Sequence, residues 1–353
     1  MRSPASRLTA AIAALALSSA LAAAQTTAPI KPIAPLRLSD LDTTTKACTD
    51  FYQYAGGGWL ASNPVPAAYS SWGAFNELTE RNNLVLRDVL ESASRAAKTT
   101  SDPYTKKLGT FYSTCMDSVG IEAAGAKPLA PEIARIAAVT TRPQLNAALT
   151  HLYAIGLGSL FGFSSEQDAK NSSLVIVGAG QGGLGLPNRD YYTKTDANSE
   201  KIRAAYVNHI AKTFELFGES SDAAKMHADK VMAFENALAL ASRTPVELRD
   251  PVANYNPTSV AALNAMTPAF NWNSFMSGIG VKGITSIDVG QPDFFKALND
   301  VFANTPLDDW KAYLRWKLAD RASPYMSSAF VNENFAMQAA LRGTREMQPR
   351  WRR

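Results

Sequence analysis

The residues of this sequence whose types could do chemistry are few: three histidines, two cysteines, a run of glycines and some paired acids. A catalytic zinc takes three protein donors and keeps one position open. Two histidines at i and i+4 on a helix, with a glutamate after the first, are the compact way to supply most of that set. Here the histidines are His151, His209 and His227. No two have that spacing and none is followed by Glu. His209 and His227 flank the Gly218–Ser221 turn and could face each other across a helical hairpin. Both sit on or beside apolar faces, so packed core histidines are expected, and no metal ligand is assigned. Cys48 and Cys115 belong to no Cys-x-x-Cys or Cys/His cluster; in an exported chain they could bridge each other. No Gly-x-Ser-x-Gly is present. The acids within 164–168 and 307–310 read as caps and solvated charge, so no catalytic residue is assigned.

The glycines raise a sharper question. An apolar run, Leu174 to Val177, leads into Gly178, Gly180 and Gly183, which spell the G-x-G-x-x-G of a dinucleotide site. That site needs a helix opening at the glycines, because the pyrophosphate sits on the helix's free N–H groups. Gly185 and Pro187 would stop such a helix in its first turns. The run is better read as the second arm of a β-hairpin, around 158–180, whose polar turn spans Asp168 to Ser173. Neither NAD nor FAD is expected.

The elements around these residues are mostly helical, and the expected fold class is mainly α, with that small hairpin. The segment 76–98 carries Leu78, Val85, Leu86, Val89 and Leu90 on one side and charges on the other. In 201–218, Ile202, Ala205, Tyr206, His209, Ile210, Thr213, Phe214 and Phe217 form a stripe closed by Gly218. Segment 221–242 opens on a Ser-Asp cap signal and returns as the second arm of a helical hairpin. Helices 292–305, 306–323 and 324–343 each open on a proline.

The chain has 353 residues, 46% hydrophobic and 19% charged, which excludes a disordered protein. Its 35 basic residues against 31 acidic ones, a net charge of +4, make a nucleic-acid partner unexpected. Residues 1–24 have the basic start, the alanine-rich apolar stretch and the Ala-x-Ala end of a secretory signal peptide. That stretch is too short and too alanine-rich for a good membrane span. Export to the periplasm or the cell exterior is therefore expected. Residues 25–38 form a Pro-rich tether.

Several ordered segments carry a resemblance. "QGGLGLPNRDYY" (181–192) resembles the Gly-Leu-x-Leu-Pro-x-Arg-Asp-Tyr-Tyr loop of the neprilysin-like zinc metallopeptidases. "ACTDFYQYAGGGWLASNPVP" (47–66), "SSWGAFNEL" (70–78), "FYSTCMD" (111–117) and "LRDPVANYNPTSVAAL" (248–263) resemble further family segments in the same order. "FVNENFAMQAALRGTREMQPRWRR" (330–353) is similar to the segment that closes the family's N-terminal half.

The resemblance implies the N-terminal half of a zinc metalloendopeptidase that cuts peptides in a cavity between a helical cap and a catalytic domain. Residues 36–75 would pack on the catalytic domain, 76–345 would form the cap and 346–353 would begin the link to the catalytic half. The zinc-binding His-Glu-x-x-His helix and third ligand of the family lie in that other half and are absent from this chain, so the chain alone is expected to be inactive. Cys48 and Cys115 would pair with cysteines beyond residue 353. Trp72 and Phe75 would line the substrate pocket. Ser71 stands where many members carry an arginine for the substrate's terminal carboxylate, and a hydroxyl cannot form that bidentate pair. The reading from another class is a stand-alone, non-catalytic helical module that binds a peptide or a partner.

Overall fold

The computed structural model describes residues 37–353, so the expected signal peptide, 1–24, and residues 25–36 of the expected tether lie outside the described residues. Two compact units divide the chain: one comprises 37–66, Ser71–Tyr112 and Arg352, the other Ala67–Ser70, Ser113–Trp351 and Arg353.

In the first unit, Asp42 organises the entry to α1 (Phe51–Ser62). Its carboxylate accepts from the Thr44 N–H and hydroxyl, the Thr45 hydroxyl and the Gln53 amide. These bonds, the one from Gln53 foremost, hold its pKa down to about 2. Asp50 caps α1 by accepting from Gln53 N. Helix α2 (Ala74–Ala96) starts at Gly73, whose extended backbone lets its carbonyl take the first helical bonds from Asn76 and Glu77. Helix α3 (Pro103–Met116) approaches the end of α2 at Gly109, where a Cβ would collide with the Ala93 carbonyl.

The second unit contains α4 (Ser118–Ala124), α5 (Ala130–Ala137) and α6 (Arg142–Ala154). Strands β1 (Phe161–Gln167) and β2 (Val175–Gln181) come next. Then come α7 (Asp190–Thr193), α8 (Ala197–Leu216) and α9 (Ser221–Ala241). Strand β3 (Pro257–Ser259), α10 (Val260–Met266), α11 (Trp272–Gly278) and β4 (Ser286–Val289) lead to α12 (Pro292–Asn304), α13 (Leu307–Ala322) and α14 (Ser328–Arg342). The protein is therefore mainly α with a small sheet. The hairpin is present with Phe161 opposite Gln181, but it is half of a four-stranded sheet of order β1-β2-β4-β3. Strand β4 adds in parallel to β2 and β3 closes the far edge antiparallel. Strands this short were hidden among helical signals.

Alternation gives the sheet two characters. Phe161, Val177, Ala179, Ile287 and Val289 point into one core with Trp272, Phe275, Phe295 and Trp310. A second core joins Ile202, Tyr206, Ile210 and Phe214 of α8 to Ala224, Ala228 and Val231 of α9, with Trp316 of α13. The stripe read along 201–218 is thus the buried side of α8, and Gly218, at φ +91°, ends that segment with its N–H on the Glu215 carbonyl. Two boundaries differ from expectation. The α9 cap is Ser220, one residue before the expected Ser-Asp pair. Pro324 lies in a separate one-turn 3₁₀ helix, because Met326 and Ser327 are extended and α14 starts only at Ser328.

The second of the two tyrosines closing the 181–192 motif, Tyr192, meets a buried acid. Glu235, on the apolar side of α9, is 0% exposed. It accepts from the Tyr192 hydroxyl at 2.6 Å, the Tyr206 hydroxyl at 2.9 Å and the Gly185 N–H at 3.1 Å. Trp316 donates to Tyr206, and Lys317 Nζ stands 3.9 Å from the carboxylate. Gly183, at φ +89°, turns the chain out of the sheet toward this hub. A Cβ at Gly185 would collide with the Tyr206 hydroxyl.

Removing the acid in Glu235→Ala strands two buried hydroxyls, so urea denaturation followed by tryptophan fluorescence should show a loss of about 3–5 kcal/mol. Gly185→Ala should cost about 2 kcal/mol by overpacking. Burial pushes the Glu235 pKa above its ordinary 4.5, against the opposing pull of Lys317 and the tyrosines. A raised acid pKa means that the folded state holds its proton more tightly than the unfolded chain. Its stabilisation is full below 4.5 and is lost as pH rises through the folded value. The stability of the native chain relative to Glu235→Gln should therefore fall as pH rises from 4.5; a flat or rising difference contradicts this assignment.

Candidate functional site

The two residues singled out for substrate contact lie at the start of α2. Trp72 is half-buried just before the Gly73 cap, and Phe75, in the first helical turn, is 86% exposed. Helical spacing carries the same face onward through Leu78, Val85, Leu86 and Val89, each 41–56% exposed. The amphipathic pattern of 76–98 is real, yet within this chain its apolar stripe faces outward. Arg352 donates through Nε to Glu80 at 3.0 Å and also through Nη2, which pins α2 from the chain's last residues. Cys48, in the turn before α1, and Cys115, in the last turn of α3, are free and exposed.

The histidines are placed apart, each on its own carboxylate. His151 Nε2 lies 2.9 Å from Glu132, His209 Nδ1 3.0 Å from Glu333 and His227 Nδ1 2.6 Å from Glu219. The pairing of His209 with His227 allowed by the sequence does not form. His209 packs edge-on against Trp316 and His227 against Phe214. Among the described residues no group of three or more His, Cys, Asp or Glu could hold a metal. The donor set of the described residues therefore does not fit a zinc centre.

The glycine stretch is equally clear in its geometry. Gly178 and Gly180 lie inside β2, and the next helix along the chain begins only at Asp190, so the glycines do not open a helix as a dinucleotide site requires. The chain leaves β2 in a structural loop. Arg189 donates to the Ser242 carbonyl at 2.7 Å, and Tyr192 receives the N–H groups of Gly185 and Leu186 as it reaches Glu235.

The 248–256 segment is a second organiser. Asp250 caps Val252 and Ala253, and Asn254 Nδ2 ties back to the Glu247 and Asp250 carbonyls. The Tyr255 hydroxyl donates to Asp168, in the hairpin turn, and Asn256 N–H donates to Asp288 on β4 at 2.6 Å. Sequence reasoning missed Glu235 and Asp288. For Glu235 a signal existed: an acid at the apolar spacing of Val231, Phe234 and Leu238. For Asp288 the four-residue strand left none.

A profile of the N-terminal domain of peptidase family M13 matches residues 47–353. Endothelin-converting enzyme 1 of Mus musculus is 28% identical over 330 residues, which cover 89% of this chain and 42% of that protein. An endothelin-converting enzyme homolog of Locusta migratoria is 30% identical over 338 residues, 89% of this chain and 46% of that one. Among solved structures, Mycobacterium tuberculosis zinc metalloprotease Zmp1 in complex with an inhibitor matches with a TM-score of 0.84 at 31% identity, over 90% of this chain and 48% of that one. PepO from Lactobacillus rhamnosis, at 18% identity and a TM-score of 0.72, shares the fold. The chain spans less than half the length of these relatives. A profile match over nearly the whole described chain, together with a motif loop seated on its own buried acid, decides the matter: the chain belongs to peptidase family M13.

Proposed function

We propose that this chain is the substrate-enclosing cap half of an exported zinc metalloendopeptidase and does not hydrolyse peptides by itself. Zinc and bond-breaking chemistry belong to a catalytic half, which is the chain's partner and the source of the disulfide partners of Cys48 and Cys115. Peptides are enclosed between the two halves, and Trp72 and Phe75 line the wall this half contributes. The exposed apolar side of α2, running from Phe75 to Val89, is the observation that carries the reading. A soluble helix normally turns such a stripe inward. The match of residues 47–353 to an N-terminal domain supports it from the sequence. Export rests on residues 1–24. Among the described residues no helix is long and apolar enough to cross a membrane.

The test is to assay this chain with a quenched-fluorescent peptide, alone and joined to the zinc-bearing half of a family member. The chain alone should give the buffer rate with zinc present, and the joined protein a rate that a chelator abolishes. Chelator-sensitive hydrolysis by the chain alone overturns the proposal. So does a joined protein that folds, binds zinc and stays inactive, which favours a non-catalytic binding module. In the active joined protein, Phe75→Ala should raise KM about tenfold with kcat held, the equivalent of ~1.4 kcal/mol of lost apolar contact. An unchanged KM removes Phe75 from the substrate wall.

A further inference from the structure

The outward face of the sheet holds a groove that the proposed cap function leaves unused. Strand alternation places Gly162, Ser164 and Glu166 of β1, Gly178 and Gly180 of β2 and Asp288 of β4 on the face opposite the core. The register puts Gly162 across from Gly180, Ser164 across from Gly178, and Gly178 beside Asp288. With Gly290 these residues line a depression of about 260 Å³. That is below the roughly 300–1,000 Å³ that encloses a drug-sized ligand, and suits a single side chain or a small cation.

The glycines are not explained by the backbone. None of Gly162, Gly178, Gly180 and Gly290 has positive φ. At Gly162, Gly180 and Gly290 a Cβ would meet nothing nearer than 3.5 Å. Glycine weakens a strand, and inside one it marks close approach by another group. At Gly178 that group is the chain's own Glu166 carboxylate, which lies where a Cβ would be. At the other three positions the floor is bare peptide.

The amides of the wall are already committed. Gln291 donates to Asn254 and accepts from Gln181 N–H, while Asn254 also accepts from Arg243. The carboxylates are not. Asp288 is 9% exposed, and its Oδ1 takes the Asn256 N–H. Among the described residues Oδ2 has no partner, and neither Asp288 nor Glu166 has an ion pair. Burial and the nearby Asp168 push the Asp288 pKa up, so its charged form is disfavoured in the groove as it stands and would be favoured by a counter-charge. Two acceptor-only groups beside a bare, flat floor ask for a planar donor with positive charge. A guanidinium stacks on peptide planes and binds a carboxylate through two parallel N–H bonds, which an ammonium cannot do.

We propose that this glycine-floored groove binds a guanidinium group, with Asp288 and Glu166 as its acceptors. The site lies wholly within the second unit and does not depend on the peptidase reading.

The experiment is a titration of the full chain, labelled with ¹⁵N-glycine, with agmatine. The amides of Gly162, Gly178, Gly180 and Gly290 should shift saturably. N-acetyl-lysine amide should bind more weakly. Asp288→Asn keeps the acceptor for Asn256 N–H and should raise the agmatine midpoint about tenfold or more; Glu166→Gln, at an exposed position, should raise it less. Gly180→Val should block binding by filling the floor. An N-acetyl-Gly-Arg-Gly amide that binds as well as agmatine identifies a peptide side chain as the occupant; one that is excluded identifies a free guanidinium compound. Absence of saturable glycine shifts overturns the proposal, as do shifts that both carboxylate variants leave unaltered.

Discussion

One buried carboxylate holds the second unit's helices in register. A charged or acidic group with no exposed surface is tolerated only when its lone pairs are met. Glu235 meets that demand with the Tyr192 and Tyr206 hydroxyls and the Gly185 N–H. Each donor comes from a different place: the loop leaving the sheet, the short helix α7, and α8. Through Tyr206 the network reaches Trp316 of α13. Four segments are therefore fixed by one directional network, where apolar contacts alone would let them slide. The price is specificity of sequence, since the 185–192 stretch admits little else at its glycine and its second tyrosine.

A second network repeats the strategy beside the sheet. Gln181 exchanges hydrogen bonds with the Arg243 backbone, and Gln291 bridges Gln181 to Asn254. Arg243 in turn reaches the Ala253 and Gly290 carbonyls. These side chains satisfy backbone groups that a longer sheet would have paired. A small sheet among helices leaves many such groups, and long polar side chains close it. The inner face is then free to be apolar where it meets the core, at Phe161, Val177, Ala179, Ile287 and Val289, and the outer face carries carboxylates with acceptor capacity to spare.

Much of the helical content was legible in the sequence because it derives from period and caps. The stripe of α8 and the turn at Gly218 are both where the spacing put them. The hairpin was legible because its polar turn, Asp168 to Ser173, is bounded by apolar runs. Strands β3 and β4 were not: three and four residues are too few to show alternation. Period also names a side without naming its cover. The stripes of α2 and α8 look alike in sequence, yet Tyr206 and Ile210 are buried while Val85 and Val89 are exposed. The candidate substrate residues were found by resemblance, and the two organising acids were found only in the structure. A buried acid reads as an ordinary charge until its donors, distant in sequence, are seen around it.

The same distinction separates chemistry from architecture in this chain. A histidine is poised for catalysis when one ring nitrogen is oriented and the other faces a reacting group. Here the carboxylate partners of the histidines serve as joints. His209 links α8 to α14 through Glu333, and its ring packs near-perpendicular to that of Trp316. His227 shares Glu219 with Arg315, which draws the α8–α9 turn onto α13. The groups that sequence inspection would first suspect of chemistry hold helices together. The surfaces with unmet demand are elsewhere: an apolar helix face at Phe75–Val89 and an acidic, glycine-floored sheet face at Asp288. They want opposite things, apolar cover in one case and positive charge in the other, so one kind of ligand cannot serve both.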